Sequence, residues 1–340
     1  EQNNNNQITK KQPMNKKKII IITTGGTIAM KKDGVTGALV PALSGEALID
    51  TVPGIDDGAH IEVREFSNIP SEYMTLDRMG ALAAFIESLD TDEVDGYVIT
   101  HGTDTMEETA FFLNHTVHLN KPVCLTGAMR SAAAAGTDGP GNILAAVRAA
   151  CCDNLYGMGV LVVMNDRVYL ADDVVKSHAT ATDAFTSASF GPVGFVSGDK
   201  VVVRKCSQKR WIVNVQDLNA RVWIVRCGAG MDDSLLAGVL AAGVDGLIVE
   251  GFGCGNVPLG MASALKTMVK KGIPVILTSR TGHGYVEREY GGEGGTAALE
   301  DAGIISAGGL SSQKARILLI LAMGNHLSSR QISARFSEIQ

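Results

Sequence analysis

No stretch of this 340-residue chain approaches the roughly 20 consecutive apolar residues that a membrane helix needs, so a spanning segment is not expected. Positive charge is not in excess either. Thirty Lys and Arg face 36 Asp and Glu, a formal net charge of −6, and the lysines are scattered, so nothing marks a nucleic-acid surface. The six cysteines (Cys124, Cys151, Cys152, Cys206, Cys227, Cys254) never adopt C-x-x-C spacing. Several sit in apolar runs, where a free thiol acts as a small core residue; a zinc site is not expected and a reducing compartment is the default. A Cys206–Cys227 bridge stays open at this level. The first 17 residues, E-Q-N-N-N-N-Q-I-T-K-K-Q-P and the lysines after Met14, have no apolar h-region and read as a disordered tail or cloning scar. Met14 looks like a natural start. That places the protein in the cytoplasm, with a processed periplasmic or secreted form left open.

What the chain has in quantity is glycine, 39 residues, clustered where apolar runs end. With 45% hydrophobic and 19% charged residues, this is the composition of a two-domain α/β protein built on tight strand-to-helix turns. The most informative stretch is Tyr97 to Ala110, Y-V-I-T-H-G-T-D-T-M-E-E-T-A. An apolar run ends in His101-Gly102-Thr103-Asp104, and a helical segment opens with Glu107 and Glu108 in its first turn. In open α/β sheets, ligands bind at that end of a strand. A plain helix N-cap would use the same residue types. A second Thr-rich turn favours the functional reading. Lys18 to Thr24, K-I-I-I-I-T-T, reads as a strand buried on both faces and breaks at Gly25-Gly26 before Thr27-Ile28-Ala29. The adjacent glycines lack G-x-G-x-x-G spacing, so a dinucleotide loop is a weak reading.

Further along, Ser67 to Glu72 reads as another strand-end turn, and Asp33 to Ser44 as a surface loop or lid. Pro122 to Ala128 reads as a buried strand. Asp138 to Asn142 reads as a turn feeding a helix over Ile143 to Ala150. Lys176 matters if it points at the threonines, because a desolvated lysine can act as a base or charge stabiliser. We expect a catalytic domain over 18–204, a polar linker over 205–220 and a second α/β domain over 221–340. Gly282 to Gly295 is expected to be a Gly-rich surface loop.

Together, Thr24-Gly25-Gly26-Thr27-Ile28-Ala29 and His101-Gly102-Thr103-Asp104-Thr105-Met106-Glu107-Glu108-Thr109-Ala110 resemble the bacterial asparaginase and glutaminase-asparaginase family, which carries two catalytic threonines. Ser71-Glu72, Gly127-Ala128-Met129-Arg130, Asp138-Gly139-Pro140, Lys176, Gly253 to Asn256 and Gln313-Lys314-Ala315-Arg316 extend the likeness to the C-terminus. The resemblance implies a larger N-terminal α/β domain with a mostly parallel sheet and a smaller, flavodoxin-like C-terminal domain. It implies a homotetramer, a dimer of dimers with active sites where subunits meet. It also implies hydrolysis of L-asparagine without cofactor or metal, leaving room for a minor L-glutaminase activity.

Carried over by residue, the resemblance makes Thr27 the nucleophile and Thr103 the second threonine, with Lys176 and Asp104 as its charged partners. Ser71 and Asp104 would hold the substrate's α-carboxylate and α-amino groups, with Glu72 near the latter. Gly26, Gly102 and Ala128 would line the substrate, and Asn256 would come from the partner subunit. The family's first loop usually carries a tyrosine, and between Thr27 and Ser71 this chain has none. That departure motivates the alternative of an amino-acid-binding sensor that has lost turnover. A tRNA-dependent amidotransferase subunit would need a further N-terminal domain.

Overall fold

The computed structural model describes residues 16–34, 36–41, 43–187, 189–204 and 210–339. Residues 1–15 of the expected 1–17 tail, residues 205–209 of the expected linker and Cys206 lie outside the described residues, and Lys17 opens the first strand instead of closing the tail. In chain order the first domain runs β1 (Lys17–Gly25), β2 (Met30–Lys32), β3 (Leu39–Pro41), α1 (Gly45–Ile49), β4 (Ala59–Ile69), α2 (Leu76–Ser88), β5 (Gly96–Thr100) and α3 (Met106–Thr116). It continues through β6 (Val123–Thr126), α4 (Gly139–Ala150), β7 (Val160–Met164), β8 (Arg167–Leu170), β9 (Val175–Lys176), β10 (Phe185–Thr186), β11 (Gly194–Ser197) and β12 (Lys200–Val203). Among the described residues, eight strands form one sheet in the order β12-β11-β8-β7-β6-β5-β1-β4. From β4 to β7 the pairing is parallel, and the β8, β11 and β12 edge is antiparallel.

The isoleucine run of β1 explains its place inside that sheet. Ile20 and Ile22 pack into a core with Ile99, Leu125 and the helices α2 and α3. Ile19 and Ile21 pack into a second core with Val98, Cys124 and α4. A strand buried on both faces needs no polar alternation, as the unbroken β-branched sequence indicates.

The second domain runs β13 (Val222–Arg226), α5 (Ser234–Ala241), β14 (Gly246–Gly251), α6 (Leu259–Lys270), β15 (Val275–Ser279), α7 (Thr296–Asp301), β16 (Ile305–Ser306), α8 (Ser312–Gly324) and α9 (Ser329–Glu338). Its four strands are all parallel and lie in sequential order. One face packs against α5 and α6. The other packs against α8, whose apolar residues join the first domain's α2–α3 core. The two domains therefore share a hydrophobic layer.

Three expectations shift. α4 begins at Gly139 rather than Ile143, because Pro140 fits a first helical turn, where no N–H is needed. β4 extends through Ser67, Asn68 and Ile69, so the strand-end turn starts only at Pro70. The expected loop after Asp33 is part of the hairpin joining β2 to β3. Cys124, Cys151, Cys152, Cys227 and Cys254 are free thiols. Among the described residues, no helix is long and apolar enough to cross a membrane.

Candidate active site

The parallel register of three strands assembles the site. β1 pairs with β5 so that Thr23 faces Thr100, and with β4 so that Gly25 faces Ile69. Those pairings bring the β1 turn that carries Thr27 to the same sheet end as the turns that carry Asp104 and Ser71. Side-chain bonds pin the strand ends: the Thr24 hydroxyl donates to Thr100 O at 2.9 Å, and Ser67 Oγ donates to Thr24 O at 3.0 Å.

Gly26 lets the turns meet. Its φ of 86° is left-handed, and a Cβ there would lie 2.4 Å from the N and Cα of Gly102. No side chain fits that approach. Beyond it, Thr27 opens a single 3₁₀ turn, half-buried, with Ile28 and Ala29 anchored in the core. The Gly26 N–H is committed to Ile69 O at 3.1 Å. Among the described residues the N–H groups of Thr27 and Thr103 have no backbone partner.

The β5 turn is rigid from within. His101 is fully buried; its Nδ1–H donates to Gly102 O at 2.6 Å, so Nε2 accepts from the Thr109 hydroxyl at 3.0 Å. Burial pushes its pKa down to about 4, which keeps the ring neutral. Thr105 Oγ1 donates to Ser71 O at 2.7 Å and Asp104 N–H to Ser71 Oγ at 3.3 Å, tying this turn to Ser71. On the β6 side, Asp138 accepts from Met129 N at 3.0 Å and Arg130 N at 2.9 Å, fixing the turn that follows buried Ala128.

Lys176 completes the cluster. Its Nζ donates to Thr103 Oγ1 at 2.9 Å and to Asp104 Oδ1 at 2.6 Å. The lysine side chain is 15% exposed and the Asp104 side chain 68% exposed, so one carboxylate both holds the ammonium and faces solvent. Thr103 is buried, whereas Glu72 and Tyr73 project outward next to Ser71. The structure thus brings Thr27, Ser71, Thr103, Asp104 and Lys176 to one sheet end. Asn256 sits in the turn after β14, closed by mutual backbone bonds with Phe252, and its buried Oδ1 has no partner. No hydrogen bond links Asn256 to the threonine cluster among the described residues. Nor does any group of His, Cys, Asp or Glu there have the arrangement to hold a metal ion.

Sequence reasoning gave no role to Glu107. It is buried in the first turn of α3, where one carboxylate oxygen accepts the Lys176 backbone N–H at 2.6 Å. Its position next to Glu108 in a helical first turn looks like ordinary macrodipole pairing, which hides the contact.

Two α/β domains with a threonine–lysine–aspartate cluster at parallel strand ends define a class of protein that places a hydroxyl against an ammonium and a carboxylate. The family comparisons agree. The asparaginase N-terminal domain matches residues 18–209, and the glutaminase/asparaginase C-terminal domain matches residues 221–336. L-asparaginase 2 of Escherichia coli strain K12 is 36% identical over 324 residues, covering 92% of this chain and 91% of its own. The L-asparaginase of Bacillus licheniformis is 34% identical over 303 residues, covering 89% and 94%. A solved structure, that of a probable cytoplasmic L-asparaginase from Campylobacter jejuni, matches with a TM-score of 0.87 at 36% identity, covering 95% of this chain and 100% of that one. The chain belongs to the asparaginase family.

Proposed function

We propose that this protein hydrolyses L-asparagine to L-aspartate and ammonia through a threonyl acyl-enzyme. The observation that carries the reading is Lys176 Nζ bridging Thr103 Oγ1 at 2.9 Å and Asp104 Oδ1 at 2.6 Å, next to the turn bearing Thr27. A threonine hydroxyl is a weak nucleophile until a neighbouring base takes its proton. Thr27 Oγ1 adds to the side-chain amide carbon as its proton passes into the Thr103–Lys176–Asp104 set, where Lys176 hands a proton on to the Asp104 carboxylate as it takes one from Thr103. The unbonded strand-end N–H groups face the oxyanion that forms. The C–N bond then breaks, the relayed proton goes to nitrogen, and ammonia leaves. Water repeats the addition, releases aspartate and returns the proton to Thr27.

The exposed carboxylates of Asp104 and Glu72 suit the ammonium of a zwitterionic amino acid, and Ser71 suits its carboxylate. Gly26, Gly102 and Ala128 line the substrate from the strand ends. Asn256, half-buried in the turn after β14 and without a hydrogen bond to the threonine cluster among the described residues, acts on the site of a partner subunit. The working unit is a dimer of dimers, and the protein is cytoplasmic. Residues 18–204 form the catalytic domain, 205–220 the linker and 221–340 the second domain.

The sensor reading draws on the missing loop tyrosine; Tyr73 is 61% exposed and makes no contact with the cluster among the described hydrogen bonds. Against it stands a proton relay that binding alone does not need. Ammonia release from L-asparagine and L-glutamine, measured side by side for wild type and Thr27→Ala, tests the reading. Asparagine turnover that vanishes in the variant supports it. Tight aspartate binding with no ammonia from wild type would move the assignment to a sensor.

A further inference from the structure

Lys176 lies on a strand too short to hold it. β9 is two residues long, and its ladder consists of two pairs, Lys176 with Phe185 and Val175 with Thr186. The segment leading into it, from Asp172, is instead gripped from the second domain. Lys314, near the start of α8, is 1% exposed, and its Nζ donates to the main-chain oxygens of Asp172 at 2.9 Å and Val174 at 2.6 Å. The ammonium also lies 5.9 Å from the centre of the Phe111 ring. Its neighbour Gln313 donates through Nε2 to one oxygen of Glu107, whose other oxygen accepts the Lys176 N–H at 2.6 Å. Consecutive residues of α8 therefore hold both ends of the 172–176 segment.

We propose that Gln313, Lys314 and Glu107 are positioning residues that set the Lys176 ammonium against Thr103 and Asp104 from across the domain boundary. The inference rests on the reading of Lys176 as part of the proton relay. A buried lysine is costly unless its donors are used. Here they are used on carbonyl groups of the catalytic segment rather than on a carboxylate, so the cation serves as a fastener for the backbone. Burial lowers the Lys314 pKa, and Glu107, Asp172 and Asp173 counter by favouring its charged form. The Asp172 carboxylate is itself held, by Asn114 Nδ2 at 2.9 Å and with His115 Nε2 at 3.2 Å. Small displacements of a relay group from its productive position lower turnover steeply.

The experiment compares kcat and KM for L-asparagine, and calorimetric binding of L-aspartate, in full-length Lys314→Met, Gln313→Ala and Lys176→Met at a temperature well below each Tm. Lys314→Met keeps the length of the stem and removes the donors; its kcat is expected to fall roughly 10²-fold with KM and aspartate affinity within about twofold of wild type. Gln313→Ala, at a half-buried helix position, is expected to fold and to lose roughly 10-fold in kcat alone. Should Lys314→Met fail to fold, Gln313→Ala decides the matter. Wild-type kcat in folded Lys314→Met or in Gln313→Ala, with only Tm lowered, would show a merely structural contact and overturn the inference. An active Lys176→Met would instead overturn the relay on which it rests, so the two failures are distinct.

Discussion

His101 carries the clearest pH signature of any single residue. Its folded pKa of about 4 lies below the ordinary value of 6.5 because of burial, so between those limits the unfolded chain binds a proton that the folded one refuses. Stability is therefore lost as pH falls from 6.5 towards 4, and this group costs nothing further below that. Asp173 works in the opposite sense. Burial, and then the nearby Asp172 charge, push its pKa up to about 6 from 3.8, so its contribution is lost as pH rises through that range. Comparing wild type with His101→Gln isolates the histidine: from pH 6.5 to 4.5 wild type should lose on the order of 2 kcal/mol more unfolding free energy than the variant. Equal losses in urea titrations would show that His101 does not carry the slope. At the threonines the expectation concerns rate. Thr27→Ala and Thr103→Val should each lower kcat by about 10³-fold or more while Tm stays within a few degrees; a Thr27→Ala enzyme with near-normal turnover would remove that residue from the role of nucleophile. Glu72 adds a specificity expectation, a minor glutamine rate above the buffer background.

At the scale of elements, the turn after β1 depends on Gly26, where a methyl group would meet the backbone of Gly102 at 2.4 Å. Gly26→Ala should separate the β1 and β5 turns and lower kcat by roughly 10²-fold or more. Gly141 is the contrast, an exposed position in α4 whose Cβ would meet nothing within 4 Å. Gly141→Ala should leave kcat unchanged and add about 0.5–1 kcal/mol of stability through helix propensity; circular-dichroism melts and turnover on the same preparations check both. The same two turns explain what the sequence could disclose. Apolar runs of four to seven residues ending in Gly and Thr mark strand ends unambiguously, and adjacent strand ends bring their hydroxyls together. β9 and β10, two residues each, have no periodicity to detect. Lys314 was concealed differently: a lone lysine at the head of an apolar helix looks like a solvated end, and only tertiary packing shows it buried. Asp138 to Asn142 reads as a turn because it holds two glycines and a proline, yet Pro140 occupies the one part of a helix that accepts it.

For the whole molecule, the proposed contribution of Asn256 to a neighbour's site makes a mixing experiment informative. Thr27→Ala and Asn256→Ala subunits, each impaired alone, should form mixed dimers with one intact site when unfolded and refolded together, restoring about a quarter of wild-type activity by random pairing. Activity no greater than the average of the separate variants would mean that each chain completes its own site. The parallel register of β1 and β5 has a different consequence for the molecule as a lineage. Because Thr23 stands opposite Thr100, the separation of the two threonine-bearing turns is inherited from the fixed spacing of neighbouring strands, about 4.8 Å. The connections that return the chain from each turn to the next strand contribute nothing to that spacing. Insertions or deletions there can reshape what enters the site, generation after generation, while the distance between the reacting groups stays as it was.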